Sequence, residues 1–172
     1  MSTVELDTRL LGSDVNLELS GAWASYWVAF LRLLTGYWFL HAGLTKLMEW
    51  PFSAQGYMAH ATGVLAPIEH WFAANAVWLP NVMVPVGEFL IGLGLIVGCL
   101  TRLAAFNGAL LMAFFYFTNH GWAHGMVNGD LMGLLLFVTV AVFGAGRVWG
   151  VDQYLERTDW AKNSRIAPYL LG

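Results

Sequence analysis

Charge is what this sequence has least of. Only 11% of its 172 residues are Asp, Glu, Lys or Arg, against roughly 25% in an ordinary soluble domain. With 58% hydrophobic residues, so few charges cannot cover a water-facing surface, and a single domain solvated by lipid is expected. Positive charge is scarcer still: eight Lys and Arg stand against eleven Asp and Glu, a formal net charge of -3. No basic stripe is available to displace counterions from a phosphate backbone, which argues against a nucleic-acid partner. Cysteine is nearly missing. Cys99 alone forms no internal disulfide and excludes a CxxC redox centre, a c-type haem attachment or a cysteine-ligated cluster built from this chain.

What the chain does have is long apolar runs. Residues 26–47 are interrupted only by Arg32 and Lys46, and residues 79–101 only by Glu88. Residues 103–120 and 130–146 carry no charge except Asp130 at the start of the last. At about 1.5 Å per residue such runs match a hydrocarbon core of about 30 Å, the last two near the lower limit. The expected fold is an all-α integral membrane four-helix bundle. Its domain spans residues 26–151, between an N-terminal arm (1–25) and a C-terminal tail (152–172).

Orientation follows from the basic residues, which are retained near cytoplasmic membrane ends. Arg9, Arg102, Arg147, Arg157, Lys162 and Arg165 fall in the arm, the turn between spans two and three, and the tail. The 49–78 connection and the 120–129 loop have no Lys or Arg. Both termini are therefore expected in the cytoplasm of a multi-pass cell-membrane protein. Trp23, Trp27 and Trp149 mark the inner ends, and Trp50, Trp78 and Trp122 the outer ones. The arm lacks the positive-then-apolar order of a signal peptide and is expected to be kept. The 49–78 connection is too apolar for a free loop, and its prolines divide it into helix-sized pieces expected to cap the outer face between spans one and two. Beyond Asp152, a reasonable N-cap, Gln153 to Asn163 suit a short surface helix.

Charges inside hydrocarbon cost at least about 2.5–3.5 kcal/mol on insertion scales, so each normally faces a partner or a cavity. Arg32 shares one face of span one with Gly36, Phe39, Gly43 and Lys46; Glu88 shares one face of span two with Gly92, Leu95, Cys99 and Arg102. The parallel suggests a weak internal duplication. Arg32 and Glu88 could form an interhelical ion pair, or a site where Glu88 relays protons and Arg32 holds an anionic oxygen. Lys46 could instead snorkel to the surface.

All five histidines (His41, His60, His70, His120 and His124) fall in the outer half. His120 and His124 have i,i+4 spacing, but Gly121 and Gly125 interrupt any helix there and no carboxylate motif accompanies them, so no metal site is assigned. Bis-histidine haem is disfavoured because His41 has no mate at its own depth. Gly92-Leu93-Gly94 with Gly98 lies in mid-span with no preceding strand, which favours helix packing over a dinucleotide loop. Asn119-His120 beside Asp130 lacks any recognisable nucleophile for hydrolysis.

The order Arg32…Gly36…Gly43…Lys46-Leu47, Glu88…Gly92…Gly98…Thr101-Arg102 and Gly144-Ala145-Gly146-Arg147…Asp152 resembles the DoxX/DoxD family of small four-helix membrane proteins. The resemblance implies a subunit linked to respiratory redox chemistry, with the membrane subunit of a thiosulfate:quinone oxidoreductase as the archetype. Under it, Lys46 with outer histidines would form a cationic pocket for thiosulfate. Glu88, His41 and Arg32 among Trp38, Phe39 and Phe89 would form the quinone pocket, with His120 and His124 as further binding residues. With no haem, flavin or iron–sulfur motif, electrons would pass directly from donor to quinone or through a second redox subunit. The rival readings are a noncatalytic anchor or assembly partner for a redox protein, and a small transporter using Arg32 and Glu88 as an ion path. An oligomer is compatible with each.

Overall fold

The computed structural model describes residues 3–10, 13–20, 22–118 and 125–172. From Ala22 onward the described residues form helices and turns. Before it, β1 (Thr3–Leu10) and β2 (Ser13–Ser20) pair antiparallel, with Thr3 opposite Ser20 and Leu10 opposite Ser13. This hairpin corrects the all-α expectation for the arm. Its sequence alternates apolar and polar residues (Val4, Leu6, Thr8, Leu10; then Val15, Leu17, Leu19), the period of two that marks a strand.

Four long helices follow: α1 (Ala22–Met48), α4 (Trp78–Val97), α5 (Thr101–Thr118) and α6 (Gly129–Val142). Between the first two lie α2 (Gln55–Ala59) and α3 (Ala66–Asn75), the latter opened by Pro67 at its first turn. After a 3-10 turn at Ala145–Arg147 come the short helices α7 (Asp152–Leu155), α8 (Asp159–Asn163) and α9 (Ala167–Leu170). The single tail helix expected over 153–163 is thus broken after Leu155, and α1 begins four residues before the expected start at Tyr26. Among the described residues α4 is long and apolar enough to cross a membrane, and α6 is a shorter apolar helix.

Glycine decides which helices pair. A Cβ on Gly92 would fall on the backbone of Leu40, and one on Gly43 on the backbone of Phe89, so α1 and α4 touch main chain to main chain. Between α5 and α6 the fully buried Phe137 ring lies over Gly108, where a Cβ would collide with it. Phe137 also meets Phe39 of α1 edge-on at 4.5 Å, tying the two pairs together. Away from this core the long helices present large apolar side chains outward: Trp27 and Tyr37 on α1, Leu90 on α4, Phe106 and Leu110 on α5, Met132 on α6. Helices that bury small residues and expose large ones are arranged for an apolar solvent.

At the opposite end of the bundle from α2 and α3, α4 stops at Gly98, whose φ of 69° is the left-handed cap that glycine adopts without strain. The next helix, α5, starts three residues later and needs its first amides satisfied. Asp152 supplies them. It is fully buried, and its carboxylate accepts from the amides of Leu100 (2.8 Å), Thr101 (2.9 Å) and Gly172 (3.2 Å). Asp152 was expected to cap its own helix; instead it caps α5 from α7, adding negative charge where the α5 dipole favours it.

Candidate functional site

The close approach of α1 and α4 at Gly43 sets up the site. Lys46 lies one turn beyond Gly43 on the same face, and this brings its Nζ to 2.5 Å from Oε2 of Glu88. Glu88 is 4% exposed, so the ion pair is held largely out of water. Lys46 also lies 5.9 Å from the centre of the Phe52 ring, a cation–π distance. It does not reach the surface alone; its charge is matched by Glu88.

The pair opens onto a cavity of about 570 Å³ at the end of the bundle expected to face outward. Its floor is Glu88, Met83 and Val84 of α4 with Leu111, Phe114 and Phe115 of α5, and α2 and α3 close it from above. The lid is fastened by backbone bonds from Gly63 N to Thr118 O (3.0 Å) and Leu65 N to Phe117 O (3.3 Å), and by Asn81 Oδ1 accepting from Ala54 N (2.8 Å). Gly63 has no room for a side chain, since a Cβ there would strike the carbonyl of Phe117.

Besides Ser53, three further ionisable groups reach the cavity wall: Tyr57 of α2, Glu69 of α3 and Asp130 of α6. Glu69 is 2% exposed. Its Oε1 accepts from the Thr118 hydroxyl, while its Oε2 has no hydrogen-bond partner among the described residues. Burial pushes its carboxyl above the usual carboxylate range, against the opposing pull of Thr118 and His70. Burial, with Glu69 and Asp130 nearby, pushes the Tyr57 phenol up to about 12. Both groups therefore favour the protonated form. A largely apolar cavity with a few convergent ionisable groups is the usual construction of a small-molecule site.

Of the residues expected from sequence, Lys46 and Glu88 come together on this wall. The others do not join them. His41 is exposed on α1 beside Tyr37, with ring centres 6.0 Å apart. Trp38 is exposed, Phe39 is buried in the core against Phe137, and Phe89 packs its backbone on Gly43. His60 Nδ1 pairs with the Gly56 carbonyl of its own helix, and His70 Nε2 with the Ala61 carbonyl. His120 and His124 lie outside the described residues. Among the described residues no group of three His, Cys, Asp or Glu is placed to hold a metal ion.

Arg32 is elsewhere. It is fully buried at the inner end, where Nη2 donates to the carbonyls of Val148 (3.3 Å) and Trp149 (3.2 Å). A Cβ on Gly98 would occupy the position of its Nη1, and one on Gly150 would come within 2.9 Å of that atom. The expected pairing of Arg32 with Glu88 is therefore replaced by two separate contacts, one at each end of the bundle. The guanidinium is wedged between glycines with no space for a ligand. Sequence reasoning missed Glu69 and Tyr57, because a carboxylate and a phenol in a short amphipathic segment carry no periodic signal. Glu69 as the lone acid of the 51–78 stretch was the available hint.

The DoxX family pattern matches residues 27–121, from the start of α1 past the end of α5. A protein of Haemophilus influenzae, itself described only as uncharacterized, is 32% identical over 130 residues, covering 70% of this chain and 85% of the relative. No solved structure matches significantly. The family match covers more than half of the chain and includes both members of the Lys46–Glu88 pair, and with the likeness to that relative it places the chain in the DoxX family of membrane proteins.

Proposed function

We propose that the protein is a multi-pass cell-membrane subunit of a quinone-linked oxidoreductase, with α1, α4, α5 and α6 crossing the bilayer and both termini in the cytoplasm. The observation that carries the reading is the outer cavity: about 570 Å³, mostly apolar, with the Lys46–Glu88 pair and the buried carboxyl of Glu69 in its lining. That volume falls within the range of about 300–1,000 Å³ typical of small-ligand sites. A quinone ring would be the electron-accepting substrate. Reducing it to the quinol consumes electrons, supplied by a partner redox subunit, and an equal number of protons.

The chain's own residues supply the proton side. Lys46 donates to Glu88 and holds a mobile proton between two ionisable groups. Glu69, whose carboxyl is raised by burial, lines the same cavity with one oxygen bonded to Thr118 and the other buried without a partner among the described residues. Phe52, Phe114 and Phe115 wall the space and exclude water. Thiosulfate draws no support from this cavity, because the one ammonium of its lining, Lys46, is matched by Glu88, and the other ionisable groups, Glu69, Asp130 and Tyr57, bring no positive charge. A dianionic donor fits better on a partner subunit.

Lipid extraction from the purified protein tests the reading. Stoichiometric quinone in the wild type, lost in Glu88→Gln without loss of folded protein, is the expected outcome. A pure protein that neither retains nor takes up quinone, while a soluble redox protein co-purifies, would favour a noncatalytic anchor instead.

A further inference from the structure

Between α4 and α5 runs a second concavity, a groove of about 830 Å³. It exists because α4 spends its glycine face on α1 while α5 packs on α6, leaving the α4 and α5 flanks splayed. Its walls are apolar except for Asn107 and Cys99. Met83, Leu111 and Phe114 line both the groove and the outer cavity, so the two spaces are adjacent and only these three flexible or planar side chains stand between them. From Met83 the groove follows α4 inward to Val97, about 21 Å at about 1.5 Å per residue. Gly87 lies along it with nothing within 4 Å of where its Cβ would be, so its lack of a side chain leaves room that no protein atom uses.

We propose that this groove holds the hydrocarbon tail of the ligand whose polar ring occupies the outer cavity, so that the full site recognises a long-chain amphiphile; the identity of the ring rests on the quinone reading above. The adjacency of the two spaces selects this occupant over unrelated lipid, because a tail attached to a ring at Glu88 reaches the groove past Met83, Leu111 and Phe114, the side chains common to both. Its direction also fits: the ring sits at the outer end and the chain lies along the helices. A tail in lipid gains little from the hydrophobic effect on entering, so its advantage comes from close packing and is modest.

Binding of a tailless benzoquinone and of the same ring carrying a decyl chain, measured by tryptophan quenching in one detergent with correction for micelle partitioning, tests this. The decyl compound should bind about tenfold more tightly, equivalent to about 1.4 kcal/mol. Gly87→Phe, which fills the groove, should remove that advantage and leave the tailless ring bound as before. Leu103→Trp, farther along the same wall, should reduce it. If Gly87→Phe is poorly folded, which loss of the tailless ring would reveal, Leu103→Trp decides alone. Equal affinity of both compounds for the wild type, or an advantage that survives both substitutions, overturns the tail site and leaves the ring site standing. Failure of both compounds to bind the wild type overturns both sites.

Discussion

Lys46 Nζ lies 2.5 Å from Glu88 Oε2, joining the outer end of α1 to the middle of α4. The two side chains are 27% and 5% exposed, so solvent screens the lysine more than its partner. Breaking such a pair from one side strands a charge in apolar surroundings, which costs about 3–5 kcal/mol where burial is complete. Lys46→Met should therefore lower the unfolding temperature in detergent substantially, and Glu88→Leu somewhat less, since a stranded lysine can reach water. The double variant should be more stable than Lys46→Met alone. Additive losses in this cycle would show that the pair is not coupled.

The α1–α4 contact makes a sharper demand. Gly92→Val would force a branched side chain into the Leu40 backbone, and no rotamer change relieves a clash with main chain. Overpacking typically costs about 1–3 kcal/mol, occasionally more, and a backbone clash belongs at the upper end. Gly87→Ala, on the same helix but with open space at its Cβ, should be neutral or slightly stabilising. Comparing the two by thermal unfolding separates packing from helix propensity. Equal behaviour would mean that the helices do not touch at Gly92.

Asp152 binds three amides from two segments of chain. Asp152→Ala should cost roughly 2–4 kcal/mol, combining a lost helix cap with buried amides left unpaired. Asp152→Asn keeps one acceptor oxygen and should lose less. Hydrogen exchange at Leu100 and Thr101 reads the effect directly: those amides should exchange faster in the alanine variant, while amides in the middle of α5 stay protected.

Glu69 sets a pH dependence whose sign is fixed. Its folded carboxyl is raised above the ordinary 4.5, so its favourable contribution is complete below about pH 4.5 and is lost as pH rises through the folded value. Glu69→Gln keeps an acceptor for Thr118 but has no charge to desolvate. The variant should be more stable than wild type at neutral pH, and the gap should close as pH falls toward 4.5. Unfolding temperatures that stay parallel across this range would refute the assignment.

Much of this fold was legible because lipid imposes simple rules. The helix positions follow from where charge is absent, and the pairing of α1 with α4 from the shared spacing of Gly36, Gly43 and Gly92. The expected Arg32–Glu88 partnership failed for a reason of distance along the axis: Arg32 lies eleven residues before Gly43, where α1 meets α4 beside Glu88, and its acceptors are the Val148 and Trp149 carbonyls from a segment with no visible signature. Lys46 is legible as a site residue or a snorkelling charge, but its partner is not, because one helix alone does not show which residue stands opposite it. Glu69 and Tyr57 escaped notice because their roles depend on how α2 and α3 fold over the bundle, and that arrangement rests on backbone bonds to Phe117 and Thr118 that no residue type announces. The β1–β2 hairpin was missed because acidic residues drew attention away from its alternation.

The placement of Arg32 has a consequence for the order of events during synthesis. Its carbonyl partners lie 116 and 117 residues later in the chain. At about 5–20 residues per second, about 6–23 s pass between the appearance of the arginine and of its acceptors. Through that interval the guanidinium lacks the carbonyls that enclose it in the finished bundle, and water or lipid headgroups must serve in their place. The charge that fastens the finished bundle would thus hold the newborn first helix at a fixed depth until the last segment arrives to enclose it.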